Sequence, residues 1–119
     1  MRKFLLIVKG DVTREDYLNG VDAIVRISDV SMHRDLLYND NEHPLGGGEW
    51  NIKGNHLILD ERSYDFGVPK LAFVKHLIFP EKFKGYKITY TYPDYSPRNS
   101  FSRGDTVEFS KEQLIFKDE

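Results

Sequence analysis

Cysteine is absent from this chain of 119 residues. That excludes a disulfide-stapled scaffold, a thiol nucleophile, an iron–sulfur cluster and cysteine-ligated zinc. There is no excess of charge of one sign either. Lys and Arg total 17, Asp and Glu total 19, and the net charge is −2. Such a balance gives no electrostatic ground for nucleic acid or an anionic membrane as partner. Long apolar runs are missing as well. The first, Phe4 to Val8, is followed at once by Lys9, Gly10 and Asp11. It is too short for a signal-peptide core, and no small-residue cleavage site follows it. No stretch approaches the ~20 apolar residues of a membrane helix. The expectation is a cytoplasmic protein without a membrane partner; the sequence leaves its oligomeric state open.

What the chain does have is enough apolar material for a core. Hydrophobic residues make up 39% and aromatics 13%, with 8 Phe and 7 Tyr, which argues for a packed fold and against disorder. The length fits one domain over residues 1–119.

Phe4 to Val8 reads as a strand covered on both faces, hence central in a sheet. Thr13 to Asn19 has Glu15 and Asp16 early and Gly20 after, as in one or two helical turns. Ala23 to Ile27 fits a second strand. Ser28, Asp29 and Ser31 ahead of Leu36-Leu37 suggest a helix start, and Asn39-Asp40-Asn41 an early end. His43-Pro44-Leu45-Gly46-Gly47-Gly48 is the strongest loop signal. Trp50–Ile52 and His56–Leu59 fit two strands, joined by a Gly54-Asn55 hairpin turn. Ser63 to Gly67 reads as a loop. Pro69 suits a first helical turn, and Leu71, Val74, Leu77 and Ile78 fall at helical spacing, with Pro80 as the stop. Tyr86 to Tyr92 alternates like a half-exposed strand. Pro93 to Gly104 reads as a long loop, and Thr106–Phe109 and Leu114–Phe116 as final short strands. The mixed order favours an α/β or α+β fold with a single sheet.

Several residues could carry chemistry, each with a plainer alternative. Consecutive glycines let backbone N–H groups converge into an anion-binding nest, so Gly46-Gly47-Gly48 could cradle a phosphate. The plainer reading is a tight connection, since neither a Walker loop nor a dinucleotide fingerprint is present. His33 falls at the expected helix start, where the dipole disfavours imidazolium and would keep a neutral base; otherwise it is a surface His near a cap. His43, His56 and His76 lack HxH or HExxH spacing and read as surface or packing residues, so no metal is expected. Ser63 is not in a GxSxG elbow and could simply end a strand. Lys3, at the head of the first strand, could simply point to solvent. The Tyr86, Tyr90 and Tyr92 run is not accompanied by a basic patch and reads as a packed strand face rather than a base-stacking platform.

In order, Lys3, Met32-His33-Arg34-Asp35-Leu36, Leu45-Gly46-Gly47-Gly48 and Ser63-x-x-Phe66-Gly67 resemble the Janus/Ocnus type of small protein histidine phosphatase, over Lys3 to about Tyr92. The resemblance implies a single mixed β-sheet flanked by a helix on each face. The family-like core would span about residues 1–92, and the extension 93–119 would add strands. It also implies metal-free, cofactor-free hydrolysis of phosphoramidate bonds on a phosphorylated protein or peptide. The substrates would be phosphohistidine and, as a second class, phospholysine. His33 matches the catalytic histidine, acting as general base or as nucleophile. Lys3 matches the phosphate-contacting lysine, Gly46, Gly47 and Gly48 the glycine segment, and Ser63 the active-site serine. Asp65 falls where a small residue gives backbone contacts. Two departures stand out: Glu49 replaces a common Arg, and Asp65 adds a second carboxylate. They leave room for a non-catalytic homologue that binds a phosphorylated or acidic partner. A structural interaction domain is the third reading.

Overall fold

The computed structural model describes residues 1–93 and 104–118. Among the described residues eight strands follow one another. They are β1 (Arg2–Lys9), β2 (Val21–Asp29), β3 (Glu42–Lys53), β4 (His56–Asp60), β5 (Val74–Pro80), β6 (Lys87–Thr91), β7 (Thr106–Glu108) and β8 (Leu114–Lys117). They form one mixed sheet in the order β7-β6-β4-β3-β1-β2-β5-β8. β1 lies between β2 and β3, antiparallel to both, in the central place that its unbroken apolar run implies. The Gly54-Asn55 turn joins β3 to β4 as expected. The loop read at Pro93–Gly104 lies, apart from its two ends, outside the described residues.

The sheet is not flanked by a helix on each face, which corrects the α/β reading; the chain is mostly β. Among the described residues the only α-helix is α1 (Arg14–Asn19), six residues long. It is held by a reciprocal cap in which Asp16 N–H donates to Thr13 Oγ1 and Thr13 N–H to Asp16 Oδ2. The remaining helical pieces are 3₁₀ turns.

Two segments differ from their sequence pattern because tertiary contacts override it. The helical stripe on Leu71, Val74, Leu77 and Ile78 becomes a 3₁₀ turn at Leu71–Phe73 followed by β5. Leu77 and Phe79 also alternate, and as a strand both are buried while the backbone pairs in parallel with β2. Pairing and packing outweigh the weak local helix preference. The loop read at His43 to Gly48 is the first half of β3. Its glycines are there because other backbone comes too close for a side chain. A Cβ on Gly46 would lie 2.1 Å from Val68 O, on Gly47 2.3 Å from Phe4 O, and on Gly48 2.1 Å from Asp60 O.

The sheet must curl. Eight flat strands at about 4.8 Å spacing would hold the edges roughly 34 Å apart. Yet edge strands β7 and β8 are joined by residues 109–113 alone, a reach of roughly 20 Å at most. The curl wraps an inner core in which Phe4, Leu6, Val25, Leu59, Leu77, Phe79 and Tyr90 are buried, each contributing about 1.5–3 kcal/mol by leaving water. On the outer face, Leu5 and Ile7 pack with Leu36, Ile24, Val30, Leu37 and Phe66. That second cluster seats the 3₁₀ turn His33–Leu36 on the sheet.

Candidate functional site around His33

Strand alternation and register lay out the floor of the site. Lys3 and Leu5, two apart on β1, share the outer face. Cross-strand pairing puts Ser28, Lys3, Glu49 and Asp60 in one row over β2, β1, β3 and β4. The next row is Arg26, Leu5 and Gly47. His33 lies over this second row: a Cβ on Gly47 would come within 3.2 Å of both His33 Cδ2 and Leu5 Cδ1. The missing side chain at Gly47 is therefore the space the imidazole occupies.

His33 is 95% buried, with 5% of its surface exposed. Its Nε2 is 2.8 Å from Gly48 O. A carbonyl only accepts, so Nε2 carries the proton and donates, leaving the lone pair of the neutral ring on Nδ1. Nδ1 has no hydrogen-bond partner among the described residues. The imidazole pKa lies below the ordinary 6.5, chiefly because burial penalises the cation. The Gly48 carbonyl opposes this, the Lys3 ammonium adds to the lowering, and the Asp65 and Glu49 carboxylates pull the other way. The neutral state was expected from a helix start, but its cause is different: the turn has only four residues, and desolvation dominates. A histidine NMR titration is expected to place His33 below 6.5. Lys3→Met should raise that value and Asp65→Asn lower it.

The sequence-nominated residues meet here to different degrees. Lys3 is close enough for its charge to act on His33, and among the described residues it has no ion-pair or hydrogen-bond partner. Glu49 stands opposite Lys3 in register. Gly47 and Gly48 form the floor and the acceptor. The glycines form no open nest, because they lie in β3, and Gly47 N–H already donates to Gly67 O at 3.1 Å. Gly46 faces the inner side, against Val68 and Pro69.

Ser63 is 1% exposed, and its Oγ accepts from Phe66 N–H at 3.1 Å. Gly67 O accepts from Ser63 N–H as well as from Gly47 N–H, and Gly67 N–H returns to Ser63 O. Ser63 thus closes the 63–67 loop and docks it on β3 beside His33. Asp65 reaches back from that loop to Arg34, 3.9 Å away. The other histidines stand apart: His56 Nε2 meets Thr89 Oγ1 at 2.8 Å, His76 Nδ1 meets Asp22 Oδ1 at 2.9 Å, and His43 is exposed. Among the described residues no group of His, Asp or Glu could hold a metal.

Sequence reasoning missed Arg26 and Glu42. Arg26 Nη1 and Nη2 donate to the two carboxylate oxygens of Glu42 at 2.8 and 2.9 Å, with both residues buried. The available signal was an arginine inside the apolar strand Ala23-Ile24-Val25-Arg26-Ile27, which demands a buried partner. The Glu42 pKa is lowered to about 2, first by the Arg26 hydrogen bond, against burial, and helped by the Tyr38 and Asn39 N–H groups. A depressed carboxyl pKa adds stability above its unfolded value of 4.5 and loses it as pH falls towards 2. Urea midpoints measured from pH 6 to 2.5 are expected to show this loss, with a slope approaching 1.4 kcal/mol per pH unit from this group. The double variant Arg26→Met with Glu42→Leu, which leaves no buried charge behind, should remove that share of the slope.

No family model, curated protein or solved structure matches this chain.

Proposed function

We propose that this chain hydrolyses phosphoramidate bonds on proteins, with His33 as the reacting group and phosphohistidine as the first substrate class. The reading rests on one juxtaposition: a neutral histidine whose Nδ1 has no hydrogen-bond partner among the described residues, beside a lysine ammonium that among the same residues has none either. The Gly48 carbonyl occupies Nε2, so Nδ1 is the nitrogen available either to take a proton from water or to attack phosphorus. In the first route water adds to phosphorus, Nδ1 accepts its proton, and the P–N bond breaks. The products are inorganic phosphate and the free imidazole of the substrate, which leaves with the P–N electron pair and with a proton that solvent has placed on its other ring nitrogen; Nδ1 then returns its proton to solvent. General base catalysis of this kind gives about 10² to 10⁴-fold. Lys3 neutralises charge on the phosphoryl oxygens. No metal or cofactor is assigned a part. The substrate is a phosphorylated protein or peptide, and a cytoplasmic setting goes with it; among the described residues no helix is long and apolar enough to cross a membrane.

A second reading has its own support. Glu49 and Asp65 set two carboxylates against Lys3 and His33, and like charge opposes a phosphoryl dianion. A chain in which they prevail would bind a phosphorylated or acidic partner without turnover. Phosphate release from a phosphohistidine peptide, in parallel with an NMR titration of His33 and Lys3 by the same peptide, tests both. Turnover above the peptide's spontaneous hydrolysis supports the enzyme; shifts without turnover support the binding protein; neither sinks both.

A further inference from the structure

We infer that the buried Arg26–Glu42 pair is a positioning device for His33; this rests on the reading of His33 as the reacting group. The segment from His33 to β3 has little regular structure of its own, yet Arg26 and Glu42 hold it from two sides. Arg26 Nη1, besides meeting Glu42, donates to Leu36 O at 2.7 Å, and Leu36 ends the His33 turn. Glu42 Oε1 accepts from Tyr38 N–H at 2.6 Å and Asn39 N–H at 3.2 Å. The Tyr38 ring covers the guanidinium, with Arg26 Cζ 3.9 Å from its centroid. Lys9, opposite Glu42 in register, lies 3.9 Å away at the exposed end.

The placement makes this more than a stability element. Arg26 shares its cross-strand row with Leu5 and Gly47, the row over which the imidazole sits. The turn is thus fixed at its far end by Arg26 and Glu42, and at its near end by the His33 bond to Gly48 O and by Asp35 Oδ2 accepting from Met32 N–H at 3.0 Å. A buried ion pair is a poor way to gain stability, because desolvation offsets its attraction. A rigid two-pronged fork is, however, a good way to fix a backbone that carries a reactive group. Displacing a reacting group by about 1 Å costs roughly 10²-fold in rate.

Removing one partner leaves a buried charge and can unfold the chain, so the decisive variant removes both: Arg26→Met with Glu42→Leu. The expected result is a folded protein by circular dichroism. Its kcat on the phosphohistidine peptide should fall about 10² -fold with KM within about threefold. In ¹⁵N-resolved imidazole spectra the His33 Nε2–H signal should lose its protected, hydrogen-bonded character. A folded double variant with wild-type kcat and unchanged His33 signals would overturn the proposal. If the wild type shows no turnover, the imidazole spectra alone decide: a changed His33 signature supports the positioning role, and an unchanged one refutes it, whatever the fate of the enzymatic reading. Should the double variant not fold, Arg26→Lys is the second arm. It keeps the charge but not the fork, and the same loss in kcat or altered His33 signature is expected, with wild-type values again refuting the role.

Discussion

A His33→Gln variant is expected to stay folded and to lose about 10² to 10⁴-fold of the rate of phosphate release from a phosphohistidine peptide. Glutamine is the informative replacement. Its amide NH₂ can still donate to Gly48 O, the acceptor of His33 Nε2–H, so the buried carbonyl keeps a partner. What it cannot supply is the Nδ1 lone pair. His33→Ala would remove both and would open space over Gly47, confusing lost chemistry with a collapsed floor. Urea denaturation beside the rate measurement separates the two: a large rate loss with a near-wild-type midpoint assigns the loss to chemistry. A rate within threefold of wild type would remove His33 from the reaction.

A Gly46→Ala variant is expected to be among the most destabilised single changes in the chain. Gly46 has φ +103°, a conformation side chains rarely adopt, and the added Cβ would sit 2.1 Å from Val68 O and 2.9 Å from Pro69 Cα. Both obstacles are backbone and cannot swing aside as a long side chain could. Backbone strain of about 1–2 kcal/mol adds to about 1–3 kcal/mol of overpacking, so a loss of about 3 kcal/mol or more in urea unfolding is expected. Gly54→Ala is the control. It also has positive φ, at +58°, but nothing lies within 4 Å of its added Cβ, so about 1 kcal/mol of strain is expected. Equal losses at the two sites would show that close approach is not what keeps glycine in β3.

These glycines show where the sequence was legible and where it was not. β1, the Gly54-Asn55 turn and the two last strands follow from local pattern, because an unbroken apolar run, a turn dipeptide and short β-rich segments each have one natural reading. The glycine segment did not, since three glycines signal a loop unless one knows that Phe4 O, Asp60 O and Val68 O approach from elsewhere in the chain. β5 was hidden for a related reason: Leu71, Val74, Leu77 and Ile78 fit a helix as well as a strand, and the parallel partner that decides between them is β2, some 50 residues earlier. At the site, Lys3, His33 and the Ser63 loop were nominated from the order of their motifs. The geometry gives Ser63 and Gly47 N–H bonds of their own, to the 63–67 loop. It adds Arg26 and Glu42, whose pairing no local spacing could reveal.

One comparison tests the proposed reacting state of His33 most directly. The pH dependence of kcat/KM on the phosphohistidine peptide is measured beside the NMR titration of the His33 imidazole in the same buffer. Coincidence of the acid limb of the rate profile with the His33 titration, both below 6.5, is the predicted result, since protonation of Nδ1 removes the reacting lone pair. A rate profile that passes through the His33 titration without a break, or phosphate release no faster than the peptide's own, would contradict it.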